Sequence, residues 1–443
     1  MNKEESSNLS MSYVGEKDLM PIGGFYGPHP LFDKDYEDVI GDLYKEEIFE
    51  MIAEAGIQFT VYSHTDYKES PELVKRCLDL GAKYGVGMYV LDSNVRQQAE
   101  REQVNVEQLK RDIEQYSTHP AFCGIYVVDE PGASYLSYSH KANPISKYGQ
   151  LANVLQYELG YNCYMNMLAA WKLDQNREDY ERYVDEFCET LKPKVLVWDK
   201  YPFWTIRIDR EKLREFFYTL NHNRERAKKE GIPFWGYVQA GSQFNDEKKR
   251  FESAQYFPNE AQLQWVVNTY LAFGAQGILY FPLIQPEHFA YAGTDEEPAW
   301  DFKRNGIIGA DGNKTQWFDY AKTMNEHIRE IDEVLMNAEN KGVILTSEQA
   351  KQDMEYVNCT IESGGFNELL SVSGEAVVGC FEYGTKTALY VVNYDMEHAQ
   401  NITLSFKNSN DIRIVRNAKT YHINTQEIIL NMNPGQGVLL VIG

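Results

Sequence analysis

The sequence predicts an α/β fold, a (β/α)8 TIM barrel followed by a smaller C-terminal antiparallel β-sandwich domain. Three observations predict it. Eight short apolar runs alternate with helical patterns up to about residue 335, the signature of a closed parallel barrel. No Gly-rich phosphate-binding turn follows the first run, as an open doubly wound nucleotide-binding sheet would require. Beyond residue 341 the long helical patterns stop, and short strands joined by polar turns take over. The division is therefore a polar N-terminal segment at 1–19, a barrel at 20–340 and a sandwich at 341–443. A chain of 443 residues is too long for one ordinary core and suits one large and one small domain.

The strand runs are Pro21–Tyr26, Gln58–Ser63, Gly87–Leu91, Gly124–Val128, Asn162–Met167, Val195–Trp198, Phe234–Val238 and Gly277–Phe281. Each is short, apolar and rich in Val, Ile, Tyr or Phe, as strands buried on both faces are. The first helix is expected over Tyr36–Ala55, where Ile40, Leu43, Ile48, Met51 and Ile52 fall near helical spacing and Gly56 follows as a stop. Ser70-Pro71 opens the second with an N-cap and a first-turn proline. Val106–Tyr116, Ser146–Leu159, Arg177–Leu191, Asp209–Glu230, Asn259–Phe273 and Thr315–Leu335 complete the set. In the tail, Glu375–Glu382, Thr387–Asn393, Asn401–Phe406, Ile412–Val415, Glu427–Asn431 and Gly437–Ile442 read as antiparallel strands.

Composition bounds the function. Hydrophobic residues make up 43% and charged residues 25%, the range of a globular protein. The net charge of −23 would repel a polyanion, so nucleic acid is not expected as a partner. No apolar run reaches membrane-spanning length, so no membrane partner is expected either. The polar start MNKEESSNLS has no signal-peptide core, which places the protein in the cytoplasm, or outside it if a leader has been removed. Composition and spacing leave the oligomeric state open. Cys77, Cys123, Cys163, Cys188, Cys359 and Cys380 form no CxxC pair. All are expected as free thiols, with Cys359 and Cys380 the pair to check. Aromatics reach 13%, including 31 Tyr. Their flat apolar rings with polar edges match sugar faces, and a large barrel core also uses many.

Barrel enzymes assemble their sites at the C-terminal ends of the strands, which reduces the sequence to eight short windows. They contain Tyr26-Gly27-Pro28-His29, Ser63-His64-Thr65-Asp66, Asp92-Ser93-Asn94, Asp129-Glu130-Pro131-Gly132, Asn166 with Trp171, Asp199-Lys200-Tyr201-Pro202-Phe203, Gln239-Ala240-Gly241-Ser242, and Pro282 with Gln285, Glu287 and His288. The fourth stands out, because an apolar strand ends abruptly on two carboxylates. Burial there costs several kcal/mol unless the groups are paired or used. A carboxyl shielded from water at such a position keeps its proton near neutral pH and becomes a general acid. The bland alternative is a carboxylate that merely caps the next helix. A metal-hydrolase barrel wants His-x-His on strand one, which Tyr26–His29 lacks, and no HExxH, Walker loop, paired-Cys zinc pattern or GxSxG is present. No metal or other cofactor is implied.

A strand four that ends on such a Glu resembles the clan-A glycoside hydrolases, the superfamily of the family-42 β-galactosidases. Asp311-Gly312-Asn313-Lys314-Thr315, followed by Trp317, Tyr320 and Asn325, is similar to the stretch before the last barrel helix of those enzymes. The tail, with Ala388–Asn393 and Pro434–Ile442, resembles the C-terminal sandwich of family-42 and amylase-type hydrolases. The resemblance implies a glycoside hydrolase acting on an oligo- or polysaccharide, with Glu130 as the acid. Two positions depart from the pattern. Asp129 stands where the superfamily usually has Asn, and Gln239 stands where it places its nucleophilic Glu. An amide cannot serve as that nucleophile. Asp199 at the end of strand six is the first replacement, as base or nucleophile according to its separation from Glu130; its bland alternative is an ion pair with a neighbouring Lys or Arg. Asp129 with Glu130 also resembles the Asp-Glu pair of β-hexosaminidases, where the substrate's acetamido group attacks. Asp92, Glu247 or Glu287 entering from a loop is the third route. Tyr26, His64, Asn166, Trp171, Tyr201 and Gln239 are the expected substrate-binding residues, with Trp204 a further stacking wall. The competing expectation, prompted by Gln239, is a catalytically inactive carbohydrate-binding barrel.

Overall fold

The computed structural model describes residues 19–32, 39–63, 65–136, 140–203, 208–241, 258–286, 305–417 and 419–443. Eight parallel strands form the barrel: β1 (Ile22–Phe25), β2 (Phe59–Val61), β3 (Gly87–Val90), β4 (Phe122–Asp129), β5 (Cys163–Asn166), β6 (Leu196–Trp198), β7 (Phe234–Gln239) and β8 (Ile278–Phe281). Their spatial order follows the chain, with β8 pairing β1. The ring closes between β5 and β6 by a parallel bridge from Met167 to Trp198, with the Met167 N–H donating to the Val197 carbonyl at 2.9 Å. All eight expected strands are present.

The barrel interior is filled by large side chains that alternate inward along the strands. Phe25, Phe59, Tyr89, Cys123, Tyr126, Tyr164, Trp235, Tyr237 and Leu279 form one buried cluster. This accounts for part of the high aromatic content. Gly23 is required by that filling, since a Cβ there would sit 2.4 Å from the Phe59 ring.

The outer helices are α1 (Glu46–Glu54), α2 (Pro71–Tyr84), α3 (Val106–Ile113), α4 (Ile145–Asn153), α5 (Leu173–Leu191), α6 (Arg210–Glu230), α7 (Glu260–Ala272) and α8 (Gln316–Asn337). Local sequence sets their ends. Asp209 accepts from the Glu211 and Lys212 N–H groups and caps α6, and Gly231 ends it at φ 68°. Asn259 and Gln262 make a reciprocal capping box at the start of α7. The expected helix over Tyr36–Ala55 is shorter than its periodicity suggested. Val39–Asp42 instead pairs antiparallel with Pro30–Phe32, and the Asp42 carboxylate turns the chain by accepting from the Tyr44 N–H at 3.0 Å. The β-branched Val39-Ile40 and the following Gly41 favour that extended alternative. Helix α4 runs into a π-helical turn at Val154–Glu158.

The C-terminal strands are β9 (Glu339–Leu345), β10 (Leu369–Ser373), β11 (Ala376–Tyr383), β12 (Lys386–Asn393), β13 (Gln400–Arg416), β14 (Lys419–Met432) and β15 (Gly437–Ile442). They form one antiparallel sheet in the order β9-β11-β12-β15-β13-β10, and β14 pairs β13. The expected sandwich is this sheet wrapped on its own core, because β13 passes continuously through what the sequence reads as two strands. Ile344, Val378, Leu389, Ile402, Leu430 and Leu440 lie in that core. The alternate residues Val377, Tyr390, Val392 and Leu439 join the barrel's outer core instead. Asn268 of α7 ties the two together, donating to the Gly435 carbonyl at 2.8 Å and accepting from the Tyr390 hydroxyl at 2.6 Å. All six cysteines are free, Cys359 and Cys380 included. Among the described residues no helix is long and apolar enough to cross a membrane.

Candidate active site

Three neighbouring strands end on the chemistry-bearing residues. Asp129 closes β4 and is in register with Asn166, which closes β5. Asp199 follows Trp198, the last residue of β6. Consecutive strands of the barrel are spatial neighbours, so the chain order alone brings Asp129, Glu130, Asn166 and Asp199 to one sector of the C-terminal rim. Glu130 takes a left-handed backbone conformation at φ 45°, and its N–H donates to the Asn166 carbonyl at 3.0 Å. Tyr26 (φ 64°) and Tyr62 (φ 52°) adopt the same backbone conformation at the ends of β1 and β2. Non-glycine residues enter this region at a cost of ~1–3 kcal/mol, and such outliers gather at functional sites.

Asn166 is buried and holds the acids in place. Its Nδ2 group donates to Asp129 Oδ1 at 3.0 Å and to Asp199 Oδ1 at 2.8 Å. Each acid thus accepts one good hydrogen bond from a neutral amide. The Glu130 carboxyl lies within hydrogen-bonding reach of the Asp199 carboxylate. All three residues are only partly exposed.

Electrostatics separate the three. Burial pushes the Glu130 carboxyl well above the usual carboxylate range, and the charges of Asp199 and Asp129 add to the effect. Burial and Asp199 raise Asp129 to about 7, against the Asn166 bond and the charge of Arg96. Asp199 is raised by burial, but the bonds from Asn166 and Glu130 and the charge of Lys200 hold it down. Glu130 is therefore the group that holds its proton most firmly at neutral pH.

The flanking cations belong to their own networks. Lys200 is 3% exposed; its ammonium donates to Glu215 Oε2 at 2.6 Å and to the Ala170 carbonyl at 2.8 Å. Lys212 reaches the same Glu215 oxygen at 3.1 Å, and the Lys172 N–H binds the other at 2.9 Å. Arg96 donates through Nε to the Val127 carbonyl at 3.1 Å and lies over the Tyr126 ring. The salt bridge of Lys200 is thus to Glu215 and not to Asp199.

Aromatic rings surround the acids. Tyr201 is buried, stacks on Phe281 at 5.4 Å and sits edge-on to Tyr237. Tyr26 contacts Phe281 at 5.5 Å and Tyr62 at 5.9 Å. Tyr126 and Tyr164 stack at 5.6 Å below, and the Tyr164 and Tyr237 hydroxyls share a hydrogen bond. Tyr26, Tyr62 and Phe281 keep part of their surface open. The charges of Asp129, Glu130 and Asp199 reach both Tyr26 and Tyr201, so both rings border the acid cluster.

Of the sequence-expected residues, the structure brings together Asp129, Glu130, Asp199, Asn166, Tyr26 and Tyr201. Gln239 is buried with its amide committed to neighbouring loops: Nε2 donates to the Phe203 and Gly241 carbonyls at 2.7 and 2.9 Å, and Oε1 accepts from the Phe203 N–H at 3.2 Å. It braces the β6 and β7 loops where a sugar contact was expected. The Trp171 ring packs against the Lys200 and Lys212 ammonium groups, with centroid distances of 5.1 and 3.9 Å. Asp92 does not swing inward, because it caps the turn at Ser93–Arg96 through the Asn94 N–H and accepts from the Tyr116 hydroxyl at 3.1 Å. His64, Trp204, Glu247 and Glu287 lie outside the described residues. Tyr62, Arg96, Lys200 and Glu215 were missed as site neighbours. For Tyr62 the signal was its place at the end of an apolar run, and for Lys200 its adjacency to Asp199.

No family model matches the chain, and no curated protein matches it. Among solved structures, a catalytic mutant of Gan42B, a GH42 β-galactosidase from G. stearothermophilus, superposes with a TM-score of 0.53 at 9% identity, covering 96% of this chain and 98% of that one. Amy13B of Eubacterium rectale gives a TM-score of 0.50 at 11% identity, covering 96% of both chains. At these identities the likeness is one of fold, and it is the fold expected from the family-42 resemblance.

Proposed function

We propose that this chain hydrolyses glycosidic bonds of an oligo- or polysaccharide, with Glu130 as proton donor and Asp199 as its carboxylate partner. The observation that supports this above all others is the contact of Glu130 with Asp199 at the barrel rim, under conditions that leave the proton on Glu130. Fold carries little of the inference, since barrels of this kind host many chemistries.

Glycosidic cleavage needs an acid that protonates the departing oxygen and a carboxylate that meets the positive charge developing on the sugar ring. Glu130 has the raised proton affinity the first task requires. Asp199, held by Asn166 and lying beside the Lys200 charge, has the lower affinity the second requires. Inverting enzymes separate these groups by ~6.5–9.5 Å to admit a water, whereas retaining ones hold them at ~5 Å. Hydrogen-bonding reach is shorter than either. A pair this close is nearer the retaining spacing than the inverting one, which favours Asp199 as nucleophile. Asp129 supports the pair electrostatically, and Tyr26 and Tyr62 offer partly open rings for sugar stacking.

Gln239 motivated the binding-only alternative. A barrel that had lost catalysis would lack a second carboxylate near Glu130; here one touches it, which favours turnover. The test is a panel of natural glycans with product anomers read by NMR, run on the wild type and on Glu130→Gln. The wild type is expected to cleave at least one glycan with retention, and the variant to lose ~10²–10⁴-fold in kcat. Undiminished hydrolysis by the variant would remove Glu130 from its role. Binding without turnover across the panel would favour the inactive barrel.

A further inference from the structure

The C-terminal sheet ends on an edge that its own sequence leaves open. Among the described residues β14 has one strand neighbour, β13, along its length. Its other edge presents main-chain N–H and C=O groups that pair with no strand, a template for another one. Proteins usually blunt such edges with proline, charge or a short strand. Strand β14 is 14 residues long, KTYHINTQEIILNM, and contains no proline. Its only formally charged side chains at neutral pH are Lys419 and Glu427, so it is electrically neutral in a chain of net charge −23. Elsewhere that charge opposes self-association; along this strand it does not.

The packing points the same way. Two cross-strand rows run outward through the sheet, Ile442–Ile412–Ile423 and Leu440–Ile414–Tyr421. Their inner members are buried, Ile442 at 2% and Leu440 at 0% exposed, whereas Ile423 is 43% and Tyr421 50% exposed. The rows stop at β14 with their apolar ends uncovered. Among the described residues neither Lys419 nor Glu427 takes part in a salt bridge.

We infer that β14 pairs antiparallel with β14 of a second copy of this chain, about a two-fold axis through Ile423. In that register Ile423 faces Ile423 of the partner subunit and joins the row from both sheets into one. Tyr421 of each copy then lies opposite Thr425 of the other, and Lys419 opposite Glu427. The charge complementarity is satisfied twice by symmetry, as a two-fold contact requires. Residues directly opposite in an antiparallel pair hold their Cα atoms ~4.5–5.5 Å apart, within the span of a disulfide.

The test uses the full chain. Analytical ultracentrifugation at micromolar concentration is expected to give twice the chain mass for the wild type. Ile423→Lys, which places two like charges face to face on an exposed site, is expected to give a monomer with unchanged thermal unfolding. Ile423→Cys is expected to form a disulfide-linked dimer under mild oxidant, while the wild type with its native cysteines does not. A monomeric wild type overturns the inference. So does a dimer that survives Ile423→Lys and whose Ile423→Cys variant forms no disulfide between the two copies.

Discussion

Replacing Asp129 with Asn is expected to stabilise the protein even as it impairs the site. Burial and the neighbouring Asp199 charge hold the Asp129 carboxyl up to about 7, from an ordinary value of 3.8. Between those two pH values the folded chain keeps a proton that the unfolded chain has released. Stability must then fall as pH rises through that window, by ~1.4 kcal/mol per pH unit, and level off above it. Carried across the whole window the loss is ~4 kcal/mol, an upper bound because Asp199 shares the repulsion and Asp129 keeps some solvent. An Asn at this position has no charge to desolvate, and its Oδ1 can still accept the 3.0 Å bond from Asn166. The expected gain is about 2 kcal/mol near pH 8, shrinking toward zero near pH 4, where the native carboxyl is already neutral. Urea unfolding of both proteins across that range measures it directly. A variant no more stable than the wild type at pH 8, or a gap that does not change with pH, would show that Asp129 is comfortably ionised in the fold and that the account of the acid cluster is wrong.

Lys200→Met should strip Glu215 of its closest cation and leave only Lys212 at 3.1 Å and the Lys172 N–H at 2.9 Å. The expected loss is ~3 kcal/mol, largely restored in Lys200→Met with Glu215→Met, as urea midpoints would show. Because the Lys200 charge lowers Asp199, the acidic limb of kcat/KM should move to higher pH in both variants; an unmoved limb would make Lys200 purely structural. Lys192→Gly, at the exposed left-handed end of α5 with φ 47°, should stabilise by up to ~1 kcal/mol in thermal unfolding. Denatured protein handled without reductant should titrate as six thiols, and a Cys359–Cys380 disulfide found by mass spectrometry would contradict the structure.

How much of this was legible in the sequence depended on whether a signal was local. Glu130 was, because the apolar run Gly124–Val128 ends abruptly on two acids. The meeting of Asp129, Asn166 and Asp199 was legible too, because consecutive barrel strands are neighbours in space. Where competing local signals existed, periodicity misled. Ile40 fitted a helical stripe, yet the segment around it is a strand. Lys407-Asn408-Ser409-Asn410-Asp411 has the composition of a turn, yet β13 runs through it with a register shift between Ser405 and Asn410, so two expected strands are one. The role of Gln239 was not legible at all, and of Lys200 only the adjacency to Asp199 was. Each depends on partners far along the chain or on loop backbone, Phe203 and Gly241 for one and Glu215 for the other, and no spacing in the sequence encodes those bonds.

The placement of the proton follows from where cations stand behind the acids. Asp199 has Lys200 next to it in the chain, buried and fixed by Glu215. Asp129 has Arg96, anchored to the Val127 carbonyl on the same strand and drawn against Tyr126. Both cations lower the proton affinity of their aspartate, whereas at Glu130 burial and two acidic neighbours all push upward. Three like carboxyl groups clustered on one rim cannot all ionise cheaply, and the one its surroundings push furthest is the one that holds its proton best. Asn166, donating to both aspartates, reinforces the same asymmetry with neutral hydrogen bonds. The left-handed backbone at Glu130 adds the geometric half: it turns that residue out of the line of β4, so the protonated carboxyl meets Asp199 across the rim while Asp129 stays in register with β5. A pair of adjacent acids on one strand thus acquires two different proton affinities from its surroundings, and that difference is the property acid-assisted bond cleavage requires.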